Sequence, residues 1–137
     1  MTDAGRLLYL DSSALVKLAL PEDESEPLLG HIATRPNRVS SAIASVEVVR
    51  AARRASDDPA VERRAREVLA GVNLIKLSDA LLDAAASVSP RPLRALDALH
   101  LGTALCLGDD LEAMVVYDNA LADAARAVGI RVVAPSR

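Results

Sequence analysis

The chain has 137 residues, enough for one domain with a real hydrophobic core and too few for two of ordinary size. It is 51% hydrophobic but only 1% aromatic, with Tyr9 and Tyr117 and no Phe or Trp, which excludes the RNA modules that stack bases on aromatic platforms. A formal net charge of -3 likewise excludes a protein that holds nucleic acid mainly through a broad basic surface.

In chain order, Arg6–Leu10 (RLLYL) is an apolar run that ends at Asp11, the pattern of a buried parallel strand with a polar residue at its carboxyl end. Ser12 and Ser13 offer side-chain oxygens at the start of a helical stretch, Ala14–Leu20, that Pro21 ends. The acidic segment PEDESEP reads as a loop or a first helical turn, and Leu28–Ala33 continues as helix before the turn at Arg35-Pro36-Asn37. Val39–Ile43 is a second, serine-diluted strand. From Ser45 onward Val46, Val49 and Ala52 recur at helical spacing, with Glu47, Arg50, Arg53 and Arg54 on the other faces.

Ser56-Asp57-Asp58-Pro59 breaks that helix, and a second amphipathic run covers Ala60–Ala70 up to a stop at Gly71. Val72–Leu77 is a strand, after which Ser78 or Asp79 caps a helix through Ala86. Ser87–Arg94, with Pro90 and Pro92, is an irregular connection. Leu96–Leu107 is apolar except for Asp97, His100 and Thr103 and is expected as a buried helix, with Cys106 as a small buried hydrophobe. Met114–Tyr117 is a strand that ends at Asp118, Ala120–Val128 a helix stopped by Gly129, and Ile130–Ala134 a last strand. Strands alternating with helices predict an α/β, doubly wound fold: a central parallel sheet of about four to five strands flanked by helices.

One cysteine allows neither an internal disulfide nor a cysteine-based zinc site, which favours a reducing, cytoplasmic setting. No uncharged apolar run reaches the roughly 18 residues a membrane span needs, and the start of the chain lacks a basic region followed by an apolar block. Neither a membrane nor a signal peptide is therefore expected.

In open parallel sheets, sites form beyond the carboxyl ends of the strands. Asp11 and Asp118 each follow a strand, Glu47 begins a helix after another, and Asp97 stands in the first turn of the apolar helix. Singly, Asp11, Asp97 and Asp118 fit helix starts, and Glu47 fits a surface pair with Arg50. Those readings explain poorly an acid set in ALDALHLGTAL, because an unpaired buried charge is costly. Four carboxylates at one sheet edge repel each other unless protonated or bridged by a cation, and ligands of this kind suit Mg²⁺ or Mn²⁺.

Four segments then resemble a known family: DSSALVKL at 11–18, SVEVVRA at 45–51, LDALHLGTAL at 96–105 and VVYDNALADAARAVGI at 115–130. Together, in order and in register over nearly the whole chain, they resemble the PIN-domain ribonucleases, most closely the VapC toxins of bacterial toxin–antitoxin pairs. The resemblance implies a single PIN domain over residues 1–137. It also implies an acidic quartet of Asp11, Glu47, Asp97 and Asp118 that binds Mg²⁺ or Mn²⁺ and directs hydrolysis of RNA, of the tRNA or rRNA class, to halt translation and growth. By the same resemblance Ser12 and Ser13 are small polar residues bonding a water or carboxylate, and Arg50 pairs with a carboxylate or contacts phosphate. The family's fourth acid varies in position, so Asn119 and Asp123 stand beside Asp118 for that role. Implied partners are a VapB-type antitoxin, the RNA substrate and a second copy of the chain in a homodimer.

His100, three residues after Asp97, shares its helical face; it reads as a core histidine or as a neighbour supporting the site. His31 reads as structural. The arginines at 50, 53, 54, 63, 64 and 66 form a solvated face or an RNA-guiding rim. Other acidic α/β enzymes fit less well. A haloacid-dehalogenase phosphatase needs an acid where Ser13 stands, and a phosphoacceptor receiver needs a lysine after a late strand, whereas the lysines here are Lys17 and Lys76. An antitoxin-independent RNA-processing nuclease and a non-cleaving binding module are the nearer alternatives.

Overall fold

The structure is a computed structural model and describes residues 5–136. Five strands, β1 (Leu7–Leu10), β2 (Arg38–Ser41), β3 (Asn73–Ile75), β4 (Leu111–Val115) and β5 (Val132–Val133), form one parallel sheet in the order β3-β2-β1-β4-β5. Seven helices among the described residues connect them: α1 (Ser12–Ala19), α2 (Ser25–Ile32), α3 (Ala44–Ala55), α4 (Pro59–Ala70), α5 (Asp79–Ala86), α6 (Ala95–Cys106) and α7 (Asn119–Ala127). The α/β parallel architecture expected from the sequence is present, with five strands.

The central strand β1 is wholly apolar because the sheet is covered on both faces. Leu8 and Leu10 of β1 pack with Ala113 and Val115 against α1–α4, while Tyr9, Val39 and Met114 pack against α6 and α7. With almost no aromatic volume, the layers close through small side chains. Gly102 of α6 shows how tightly: a Cβ built there would lie 3.0 Å from Cα and Cβ of Ala85 in α5.

The helix starts follow side-chain capping. Asp11, Asp58, Ser78 and Asp118 each accept a backbone N–H of the first turn, and Pro59 opens α4 where no intrahelical N–H is needed. Gly129, at φ +84°, takes the left-handed turn that ends α7.

The structure departs from the sequence reading in several places. β4 spans Leu111–Val115 rather than Met114–Tyr117, so Asp118 lies three residues beyond the strand as the cap of α7. β5 is reduced to Val132–Val133 and β3 to Asn73–Ile75. On α3 Val49 and Ala52 are buried as expected, but Val46 is exposed and Val48 is buried beside them. α6 is buried only along His100–Ala104; Leu96 is exposed, and so are Leu105 and Cys106, which face outward between Ala104 and Leu107, both packed on the core. None of the described helices is long and apolar enough to cross a membrane.

Candidate active site

The chain proceeds from β1 outward through β2 and β3, then returns past β1 to place β4 and β5 on its other side. The sheet therefore reverses between β1 and β4, where open α/β sheets carry their sites beyond the carboxyl ends. Asp11 leaves β1 at that point, its N–H bonded to the Val115 carbonyl of β4 at 3.2 Å.

Asp11 is nearly fully buried. Its Oδ1 accepts the Ser13 hydroxyl at 2.6 Å and the Ala14 N–H at 3.0 Å. Burial pushes its carboxyl up to about 6, although both hydrogen bonds and the nearby His100 oppose the shift. Ser13 Oγ in turn accepts the Tyr117 N–H at 3.0 Å, which fastens the start of α1 to the segment leading into Asp118.

Glu47, in the first turn of α3, is half-buried and makes no ion pair with Arg50. Its Oε1 accepts the Ser12 hydroxyl at 2.6 Å and lies 2.8 Å from His100 Nε2. Burial alone would raise its carboxyl, but the hydrogen bonds from His100 and Ser12 outweigh it and hold Glu47 below the usual range.

Asp97, at the start of α6, is raised by burial first and then by the charge of Asp118, with Glu47 adding to the shift and His100 opposing it. Asp118 uses Oδ2 to accept the Leu121 N–H at 2.9 Å. Glu47 and Asp118 line one open concavity of about 460 Å³ together with Ser12, Ser13, Lys17, Arg54 and Tyr117. Asp97 thus lies within electrostatic reach of Asp118 and Glu47, and Asp11, Glu47 and Asp97 each interact with His100. Asn119 and Asp123 are exposed on α7; Asp123 pairs with Arg126 at 3.7 Å. Arg50 is exposed and lines a neighbouring concavity of about 590 Å³ with Arg53 and Glu62, and Arg54 borders both.

The donor set is all oxygen, the chemistry of a hard cation, since both nitrogens of His100 are engaged within the protein. Among the described residues no group of three or more His, Cys, Asp or Glu side chains stands close enough together to hold a metal ion. Mg²⁺ takes as few as one or two carboxylates, with waters and substrate phosphate filling its other positions. Glu47 and Asp118 each accept protein hydrogen bonds through one carboxylate oxygen, and Asp11 is held by Ser13 and Ala14.

Two residues carry more of the site than the sequence suggests. His100 is buried in contact with Glu47, Ser12 and Tyr9. Lys17, one turn after Ser13, lines the concavity, sits 4.8 Å over the Tyr117 ring and pairs with Glu22 and Glu24 of the acidic segment. The i+3 spacing of Asp97 to His100 and the i+4 spacing of Ser13 to Lys17 are the signals that mark them.

Known proteins resemble this chain in sequence and in fold. The PIN domain family matches residues 8–127. Ribonuclease VapC46 of Mycobacterium tuberculosis is 44% identical over 129 residues, covering 94% of this chain and 98% of the relative. Ribonuclease VapC35 of the same organism is 41% identical over 138 residues, covering 96% and 98%. A chain of a toxin-antitoxin complex from Klebsiella pneumoniae shares the fold with a TM-score of 0.71 at 22% identity, over 95% of this chain and 98% of that one. On these matches the chain belongs to the PIN domain family, among its VapC-type ribonucleases.

Proposed function

We propose that this chain is a Mg²⁺- or Mn²⁺-dependent endoribonuclease and the toxin of a VapBC-type pair, acting on tRNA or rRNA. The observation that carries the reading is the placement of Asp11, Glu47 and Asp97 around His100 near the reversal of the sheet, with Asp97 raised by burial and then by the charges of Asp118 and Glu47. Carboxylates that repel one another are stabilised by a cation between them. The names of the relatives, ribonucleases of the VapC type, support the nuclease reading.

Asp11, Asp97 and Asp118 would hold the ion, with Glu47 as a further ligand or as the acceptor that orients a water. Such an ion favours ionisation of the attacking water and neutralises charge on the leaving oxygen of a phosphodiester. Ser13 and the Ala14 N–H keep Asp11 in one orientation. Glu47, held ionised, is a weak base at neutral pH and serves better by charge and orientation than by taking a proton. Arg50 and Arg54, exposed on α3 beside the concavity, supply cations for the phosphates that flank the scissile bond.

The toxin role adds a VapB-type antitoxin and a homodimer, in the cytoplasm. Purified protein is expected to cleave RNA with Mg²⁺ or Mn²⁺ and to stop when chelator is added; cleavage that persists in chelator contradicts the metal dependence. Expression alone should arrest growth and co-expression of the adjacent small gene should relieve it, whereas harmless expression of an active nuclease counts against the toxin role.

A further inference from the structure

His100 and Tyr9 form a buried pair that the function above leaves unused. Tyr9 points from β1 into the layer of α6 and α7, while Glu47 stands on α3 in the opposite layer. The His100 Nε2 to Glu47 Oε1 contact of 2.8 Å therefore ties the two helical layers over the edge of the sheet. Ser12 Oγ lies 3.0 Å from the same nitrogen and donates to the same Glu47 oxygen. On the other side of the ring, the Tyr9 hydroxyl is 2.7 Å from Nδ1, and the two rings meet edge to face at 5.8 Å and 79°.

The placement of hydrogens follows from what each group can do. A carboxylate only accepts, and the Ser12 hydrogen is already directed to Oε1, so the hydrogen shared by His100 and Glu47 sits on Nε2. Tyr9 then occupies Nδ1, and the ring is held at both ends. A histidine serving only as core filling has no need of a site carboxylate on a different helix. Here the interaction fixes one oxygen of Glu47 and removes its freedom to rotate.

We propose that His100, seated by Tyr9, is a positioning residue for Glu47, holding the carboxylate in the orientation that the reaction uses. The role rests on the nuclease reading. Partners of this kind change metal affinity or activity by about 10- to 100-fold when lost.

Three variants test the role. Tyr9→Phe removes one hydroxyl and keeps the ring, His100→Gln keeps an N–H donor, and His100→Ala removes it. In RNA cleavage with Mn²⁺, His100→Ala is expected to lower kcat by about 10- to 100-fold with KM unchanged. His100→Gln should recover part of that loss, and Tyr9→Phe should cost about 5-fold. In NMR of the metal-free protein, with only His31 and His100 to assign, the His100 Nε2–H should give an exchange-protected signal that Glu47→Ala removes. A wild type that cleaves RNA while all three variants match it overturns the role, as does an Nε2–H signal indifferent to Glu47→Ala. If the wild type cuts no RNA while the NMR signal depends on Glu47, the hydrogen bond stands and the nuclease reading, with this role, is what fails.

Discussion

Asp11 caps α1 and, in the proposed function, binds the ion, and these two tasks set its energetics against each other. As a cap it accepts two hydrogen bonds, yet burial raises its carboxyl from 3.8 to about 6. A folded-state pKa above the unfolded one means that the native protein holds the proton more tightly. Stability therefore falls as pH rises from about 4 through 6, and above that the ionised carboxylate is a standing cost. Asp11→Asn keeps the cap and removes the charge, because Asn caps as well as Asp. In chelator at pH 8, urea unfolding should find Asp11→Asn more stable than wild type by up to about 3 kcal/mol, a gap that closes as pH falls toward 4. Equal stability at both pH values would contradict the burial argument. The four acids were legible in the sequence because each sits at an abrupt break in an apolar pattern. The partners of His100 were not, since Tyr9, Ser12 and Glu47 lie 91, 88 and 53 residues away and only the fold brings them together.

Asp118 raises the same question for a whole element, since it starts α7 and also faces Asp97. Asp118→Asn retains the cap, so its stability should stay near that of wild type while RNA cleavage is lost. Asp118→Ala should lose cleavage and also about 1 kcal/mol of stability. Comparing the two by denaturation and activity separates capping from catalysis; full activity in Asp118→Asn would remove Asp118 from the proposed ligands. Between α5 and α6, Gly102→Val should cost about 3 kcal/mol in urea unfolding, because the neighbours of the new Cβ are the Cα, N and Cβ of Ala85, which cannot turn aside. A variant as stable as wild type would show that the helices separate easily. Element type and order were readable from apolar runs and caps, but boundaries less so. The apolar run continues through Val116 and Tyr117 after β4 has ended, and the Val116 N–H still bonds Val133, so periodicity alone does not mark the strand's end. Val46 lies on the helical stripe yet faces solvent, because tertiary packing buries Val48 together with Val49 and Ala52.

For the molecule as a whole, the net charge of -3 weighs against RNA only if it is spread evenly. Without the four site acids the remaining charge is +1, and a bound cation would make the groove more attractive to phosphate. Tyr9 and Tyr117, the only aromatics, are both committed to internal contacts, with Tyr117 OH donating to the Pro135 carbonyl at 2.8 Å. Recognition then falls to backbone and shape rather than stacked bases. The alternation of strands and helices made the sheet legible, but its order was not, because the return from β3 to the far side of β1 leaves no mark in the local pattern. That return creates the reversal at which Asp11 leaves β1 beside β4. The most direct measurement is cleavage of RNA by purified wild type, Asp11→Asn and Asp97→Asn, each with Mn²⁺ and with chelator. The account predicts cleavage by the wild type with Mn²⁺ alone and by neither variant; variants that cut as well as the wild type would contradict it.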